Sequence, residues 1–155
     1  MNANDHIRLL QQIHDGIDDI LWAPEDTPEK IDVTPAVIIR SDAMAASVIG
    51  AGESCLAVVC SYHVFLLAGF AGESTFGVKA AKAYTIADEM LTEYHRASVE
   101  GLPGVDPDNY PRLIADDAAG ITHSGLIRFA FNENNVFTAI RFALRIEDQR
   151  DWPVP

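Results

Sequence analysis

Cysteine and positive charge are both scarce in this chain, and it has no long apolar run. Each shortage removes a class of function. The 155 residues contain only two cysteines, Cys55 and Cys60. They stand five apart, so the CxxC spacing of metal and redox sites is absent. On a shared strand that odd spacing sets them on opposite faces, where they cannot bridge each other. A reducing compartment is the simplest reading. Eleven Lys and Arg face 23 Asp and Glu, a formal net charge of −12. Such a chain repels phosphate backbones at long range, which argues against sequence-specific duplex binding. No apolar run reaches the roughly 18 residues of a membrane span. The opening MNANDHIRLL lacks the basic start and apolar stretch of a secretory signal.

What is present suits one globular domain. Hydrophobic residues make up 48% of the chain, normal for a folded protein and too many for a disordered one. A chain of this length buries about two thirds of its unfolded surface without a disulfide or metal. Residues 5–21 read as a helix, with Ile7, Leu10, Ile13, Ile17 and Ile20/Leu21 on one stripe. Asn4 or Asp5 is placed to cap it, and Gly16 weakens it without ending it. PAVIIR at 35–40 is a short strand opened by proline, and 41–54 is a long apolar loop. Residues 55–68 form a long strand. Its even-numbered face from Leu56 to Leu66 is uniformly apolar, and its other face is mixed and partly covered.

A helix at about 77–97 follows, capped by Ser74 or Thr75 and buried through Ala80, Ala83, Ala87, Met90, Leu91 and Tyr94. Residues 99–120 make a long Gly-, Pro- and Asp-rich connection in which Arg112, Leu113 and Ile114 are a short-strand candidate. Strands at 121–131 and 136–147 are joined by the hairpin sequence NENN. The tail 148–155 contains Pro153 and Pro155, which stop it from continuing a central strand, and Trp152 in it docks on its own domain or on a neighbour. The order helix, strand, strand, helix, strand, strand defines a small single-domain α+β fold with a mainly antiparallel sheet.

Catalytic chemistry is hard to find. The histidines His6, His14, His63, His95 and His123 do not fall into a metal motif. His14 with Asp15, Asp18 and Asp19 reads as a solvated acidic face. His63 shares a strand face with Ser61 but lacks a third group and an oxyanion site, so a structural role is favoured. ITHSG at 121–125 lacks the first glycine of a nucleophile elbow and leads into a strand. FAGESTFGVK at 70–79 precedes a helix but lacks P-loop lysine spacing, so helix capping is its role. No catalytic, cofactor or metal residue is assigned, and the chain is expected not to be an enzyme.

Four segments together carry a resemblance. They are HIRLLQQIHDGIDDIL, the strand PAVIIR, the strand CLAVVCSYHVFLLAG with the helix AAKAYTIADEMLTEYHRA, and GLPGVDP leading to the hairpin IRFAFNENNVFTAIRFALRIE. In this layout the chain resembles phage tail-terminator (tail-completion) proteins, and within them the small neck protein of Mu-like phages. The resemblance implies a structural virion protein, assembled in the host cytoplasm as a homo-hexameric ring. That ring would cap the tail tube protein and dock the head–tail connector, with genome DNA passing through without specific binding. No family catalytic residue exists to carry over.

Ring closure needs one patch to meet a different patch on the neighbour. The candidate subunit-interface residues are Met44, Val48 and Ile49 in the 41–54 loop, Phe70 and Phe76 around the turn, and Trp152 in the tail. Two other readings stay open. One is a neighbouring neck layer, a stopper or adaptor. The other is a small ligand-binding or hydrolytic domain using Ser61, His63 and Ser74.

Overall fold

A computed structural model describes residues 1–48, 55–72, 76–114 and 120–151. Its elements are α1 (Ala3–Asp15), β1 (Ala36–Val48), β2 (Cys55–Phe70), α2 (Phe76–Glu100), β3 (Arg112–Ile114), β4 (His123–Asn132) and β5 (Asn135–Asp151). The α+β expectation holds: two helices pack on one five-stranded antiparallel sheet. The strand order is β1-β2-β5, with β3 and β4 both pairing along the far side of β5, at Glu147–Arg145 and Phe142–Asn135 respectively.

α1 is shorter than its apolar stripe suggests. Asn2, not Asn4 or Asp5, caps it: the Asn2 side chain accepts from the Asp5 N–H and the Asp5 carboxylate accepts from the Asn2 N–H. The helix stops at Asp15 with Gly16 as its C-cap, so Gly16 does end it. Tight turns then carry the chain on, Ile17 N–H to His14 O and Ile20 N–H to Ile17 O. These turns keep a helix-like period, so Ile17 and Ile20 stay buried while Leu21 is 61% exposed.

The largest departure is in β1. The expected loop at 41–54 is strand through Val48, paired with β2 from Ala36↔Leu67 to Val48↔Leu56, with a bulge between Ser41 and Ala43. SDAMAAS has little intrinsic strand preference, but β2 is 16 residues long and pairing along it overrides local propensity. Residues 49–54 lie outside the described residues. The tail is corrected likewise. Residues 148–151 continue β5, with Asp151 opposite Cys55, so the proline restriction acts only beyond them.

Two apolar clusters sandwich the sheet. The larger lies under the helices, built from Leu10 and Ile13 of α1, Ile86, Met90 and Tyr94 of α2, and the even-numbered residues Val58–Leu66 of β2 and Ile140–Ile146 of β5. The alternating faces expected of the long strand are therefore present. The smaller cluster, on the other face, joins Ile31, Ala36, Ile38, Phe65, Leu67, Phe129, Phe137 and Ala139. It covers only the end of that face nearest the hairpin, while Arg141 and Ala143 are exposed. The 99–120 connection leaves α2 at Gly101, whose φ of +100° and 2.3 Å approach of a Cβ to Val105 O exclude any side chain. It then buries Leu102 and forms β3 as expected.

Candidate functional site: a free sheet edge, an exposed apolar pocket and two buried histidines

β1 is an edge strand. Apart from Trp22, which bridges it at Ala36, no described strand pairs with its other side. From Ile38 to Val48 it offers a long row of backbone groups, interrupted by the bulge between Ser41 and Ala43. Neither lysine nor proline occurs there, and its only charges are Arg40 and Asp42. Met44 stands opposite Cys60 and Val48 opposite Leu56 in the register. Their side chains, those of Phe76 at the start of α2, and Ile49 and Trp152 entirely, lie outside the described residues, as do the expected caps Ser74 and Thr75. Phe70 is half-buried at the end of β2, its ring 4.7 Å from that of Phe137, so much of it already serves the smaller cluster.

Where β1 begins, the chain returns beside it. The Val37 N–H donates to Trp22 O and the Leu21 N–H to Pro35 O, both at 2.9 Å. This brings Leu21, Trp22, Asp32 and Val33 around a pocket of about 200 Å³. Leu21 is 61% and Val33 43% exposed, while Trp22 is half-buried against the smaller cluster. Sequence reasoning missed this site, because Trp22 and Val33 sit in a polar stretch and only the bridge to Ala36 brings them together.

His6 and His14, the latter expected on a solvated face, are both fully buried. Gln11 decides the protonation of His14. Its amide nitrogen donates to Pro24 O and Val37 O, both at 2.9 Å, so its oxygen must accept from His14 Nδ1–H at 2.7 Å. His14 Nε2 is then the acceptor for the Tyr94 hydroxyl. Burial pushes the His14 pKa down to about 3 and raises that of Tyr94, so both stay neutral. His6 has different company. Its Nε2–H donates to the Asp148 carboxylate at 2.7 Å, and its Nδ1 lies 2.6 Å from the Tyr62 hydroxyl. The Met1 ammonium sits 3.3 Å from the same Asp148 oxygen. The sequence did hold a signal: His6, Leu10 and His14 recur at steps of four on one helix stripe with a core leucine.

The remaining candidates separate. His63 is about one-third exposed, 3.6 Å from the Asp42 carboxylate, with Ser61 on the same strand face and Ser74 outside the described residues. Ser124 of ITHSG accepts the Arg141 N–H at 2.9 Å and so bridges the β4 bulge. Asp15, Asp18 and Asp19 are exposed as expected. Among the described residues no group of three His, Cys, Asp or Glu side chains could hold a metal, and no helix is long and apolar enough to cross a membrane. No family model matches the chain, and no curated protein matches it.

Proposed function

We propose that this chain is a ring-forming structural subunit of the phage neck, acting as a tail terminator. Copies assemble in the host cytoplasm around a hollow axis at the head-proximal end of the tail tube. They stop tube growth and present a docking surface to the head connector. The observation that carries this reading is the free β1 edge, which from Ile38 to Val48 has no described partner strand. A long edge without lysines or prolines, bulged only between Ser41 and Ala43, is a liability in a solitary subunit and an asset in one whose neighbour covers it. Where β1 meets a different surface of the neighbour, and not that neighbour's own β1, the contact is heterologous, the kind that closes rings. The net charge of −12 per subunit lets genome DNA pass such a ring without being trapped.

Sedimentation of the purified chain, with negative-stain imaging, tests the proposal. A discrete ring with a central hole is expected, and a monomer at tens of micromolar overturns it. The double variant Ala43→Lys/Ala45→Lys, which charges the β1 edge, should keep the fold and lose the ring. Intact rings in that variant would show that this edge is not the contact.

A further inference from the structure

We propose that the pocket of Leu21, Trp22, Asp32 and Val33 receives the segment Trp152–Pro153–Val154–Pro155 of a second copy of this chain. The pocket is a recess of about 200 Å³ lined by Leu21, Trp22, Asp32 and Val33, with Leu21 and Val33 exposed and Trp22 half-buried against the smaller cluster. Aromatic-lined grooves are how proline-rich segments are bound, because such segments are already extended and lose little freedom on docking. The tail supplies that chemistry, a tryptophan followed by Pro-Val-Pro. The exposed Asp32 carboxylate, 3.8 Å from the Lys30 ammonium, has oxygen left to accept from an indole N–H.

Reach identifies the occupant as another copy. Asp151, the last residue of β5, stands opposite Cys55 at one end of β2, and Ala36, which Trp22 bridges, stands opposite Leu67 at the other. The rise of β2 between those positions is about 40 Å at about 3.3 Å per residue. Residues 152–155 extend at most about 14 Å, so they cannot touch their own pocket. A neighbour placed head to tail brings one copy's strand end to the next copy's pocket. The inference deepens the ring reading, resting on it only for that head-to-tail arrangement, and makes the pocket a second contact beside the β1 edge.

The test adds a dye-labelled peptide DQRDWPVP to the full chain carrying Trp152→Ala and follows fluorescence anisotropy. Sedimentation of the wild-type and Trp152→Ala chains runs in parallel. Saturable binding is expected, weakened about tenfold or more by Leu21→Asp or Val33→Asp in the chain, or by replacing the peptide's tryptophan with alanine. Both pocket residues are largely exposed, so the variants should fold, which circular dichroism checks. Absence of saturable binding, or binding indifferent to the pocket variants, overturns the proposal. Rings that persist in the Trp152→Ala chain while the peptide fails to bind refute the tail contact and leave the ring standing. A wild-type chain that forms dimers or open oligomers without a central hole, and whose Trp152→Ala form binds the peptide at this pocket, refutes the ring and leaves the tail contact standing.

Discussion

α1 carries two histidines eight positions apart, each buried and each bonded to a tyrosine, yet the two pairs are chemically unlike. His14 meets Tyr94 and the neutral amide of Gln11. Every hydrogen in that chain is placed by the two carbonyls that Gln11 serves, and the ring is locked neutral. His6 meets Tyr62 and a buried carboxylate, Asp148, with the Met1 ammonium beside it. That end of the helix holds charge inside the protein. The same residue pair is thus a neutral pin between α1 and α2 at one end and part of an ionic anchor between α1 and β5 at the other. What differs is the third group: the helix itself supplies Gln11 to His14, and strand β5 supplies Asp148 to His6.

The comparison can be broken in steps. Asp148→Ala removes the acceptor around which His6 and Met1 gather, and a loss of about 2 kcal/mol in urea unfolding is expected, because the buried His6 N–H is left without its acceptor. A loss below about 1 kcal/mol would show that another acceptor takes the place of the carboxylate.

The neutral end should report itself through pH. The His14 pKa is about 3 in the fold against about 6.5 unfolded, so the unfolded chain binds the proton more readily. The stability His14 contributes is complete above about pH 6.5 and is lost as pH falls towards 3, at up to about 1.4 kcal/mol per pH unit. Between pH 7.5 and pH 5 the loss from this group is about 2 kcal/mol. His14→Gln should flatten the stability–pH curve by that amount, and an unchanged curve would locate the proton uptake elsewhere.

Tyr94→Phe deletes the donor to His14 Nε2 while keeping the ring against Phe142. About 1.5 kcal/mol should be lost from the midpoint shift at neutral pH, the cost of a buried acceptor left unpaired. A null shift would mean that another donor replaces the hydroxyl. Asn2→Ala is the mildest probe. It removes the capping box at the ionic end, for about 1 kcal/mol of global stability. Amide exchange should rise at Asp5 and His6 before it rises at His14, and uniform exchange along α1 would show that the two anchors open together.

Much of the fold was legible. The even–odd split of β2, the hairpin around Glu133 and Asn134, the inner stripe of α2 and the short strand at Arg112–Ile114 all announce themselves, because burial on one face imposes a period on the residues that line it. The departures have separate causes. The stripe of α1 suggests too long a helix because the turns after Gly16 keep Ile17 and Ile20 in phase with it. SDAMAAS looks like loop until a 16-residue partner lies beside it. Three acidic neighbours of His14 suggest water, whereas its own position follows Leu10 by one helical turn. Of the candidate interface residues, Met44 and Val48 lie on strand β1 where the sequence suggests loop, and the pocket at Leu21 and Trp22 has no local signal at all.

The sequence by itself determined the class of fold, the two apolar faces of the sheet, the acidic exterior and the proline-rich end, since each depends on residue type and spacing within about a dozen positions. Only the tertiary structure decided which buried histidine faces a carboxylate, how far the edge strand runs and that residues 21 and 33 share a pocket. Those outcomes depend on strand register and on contacts between segments distant in the chain, and local periodicity carries no information about which distant segment will arrive.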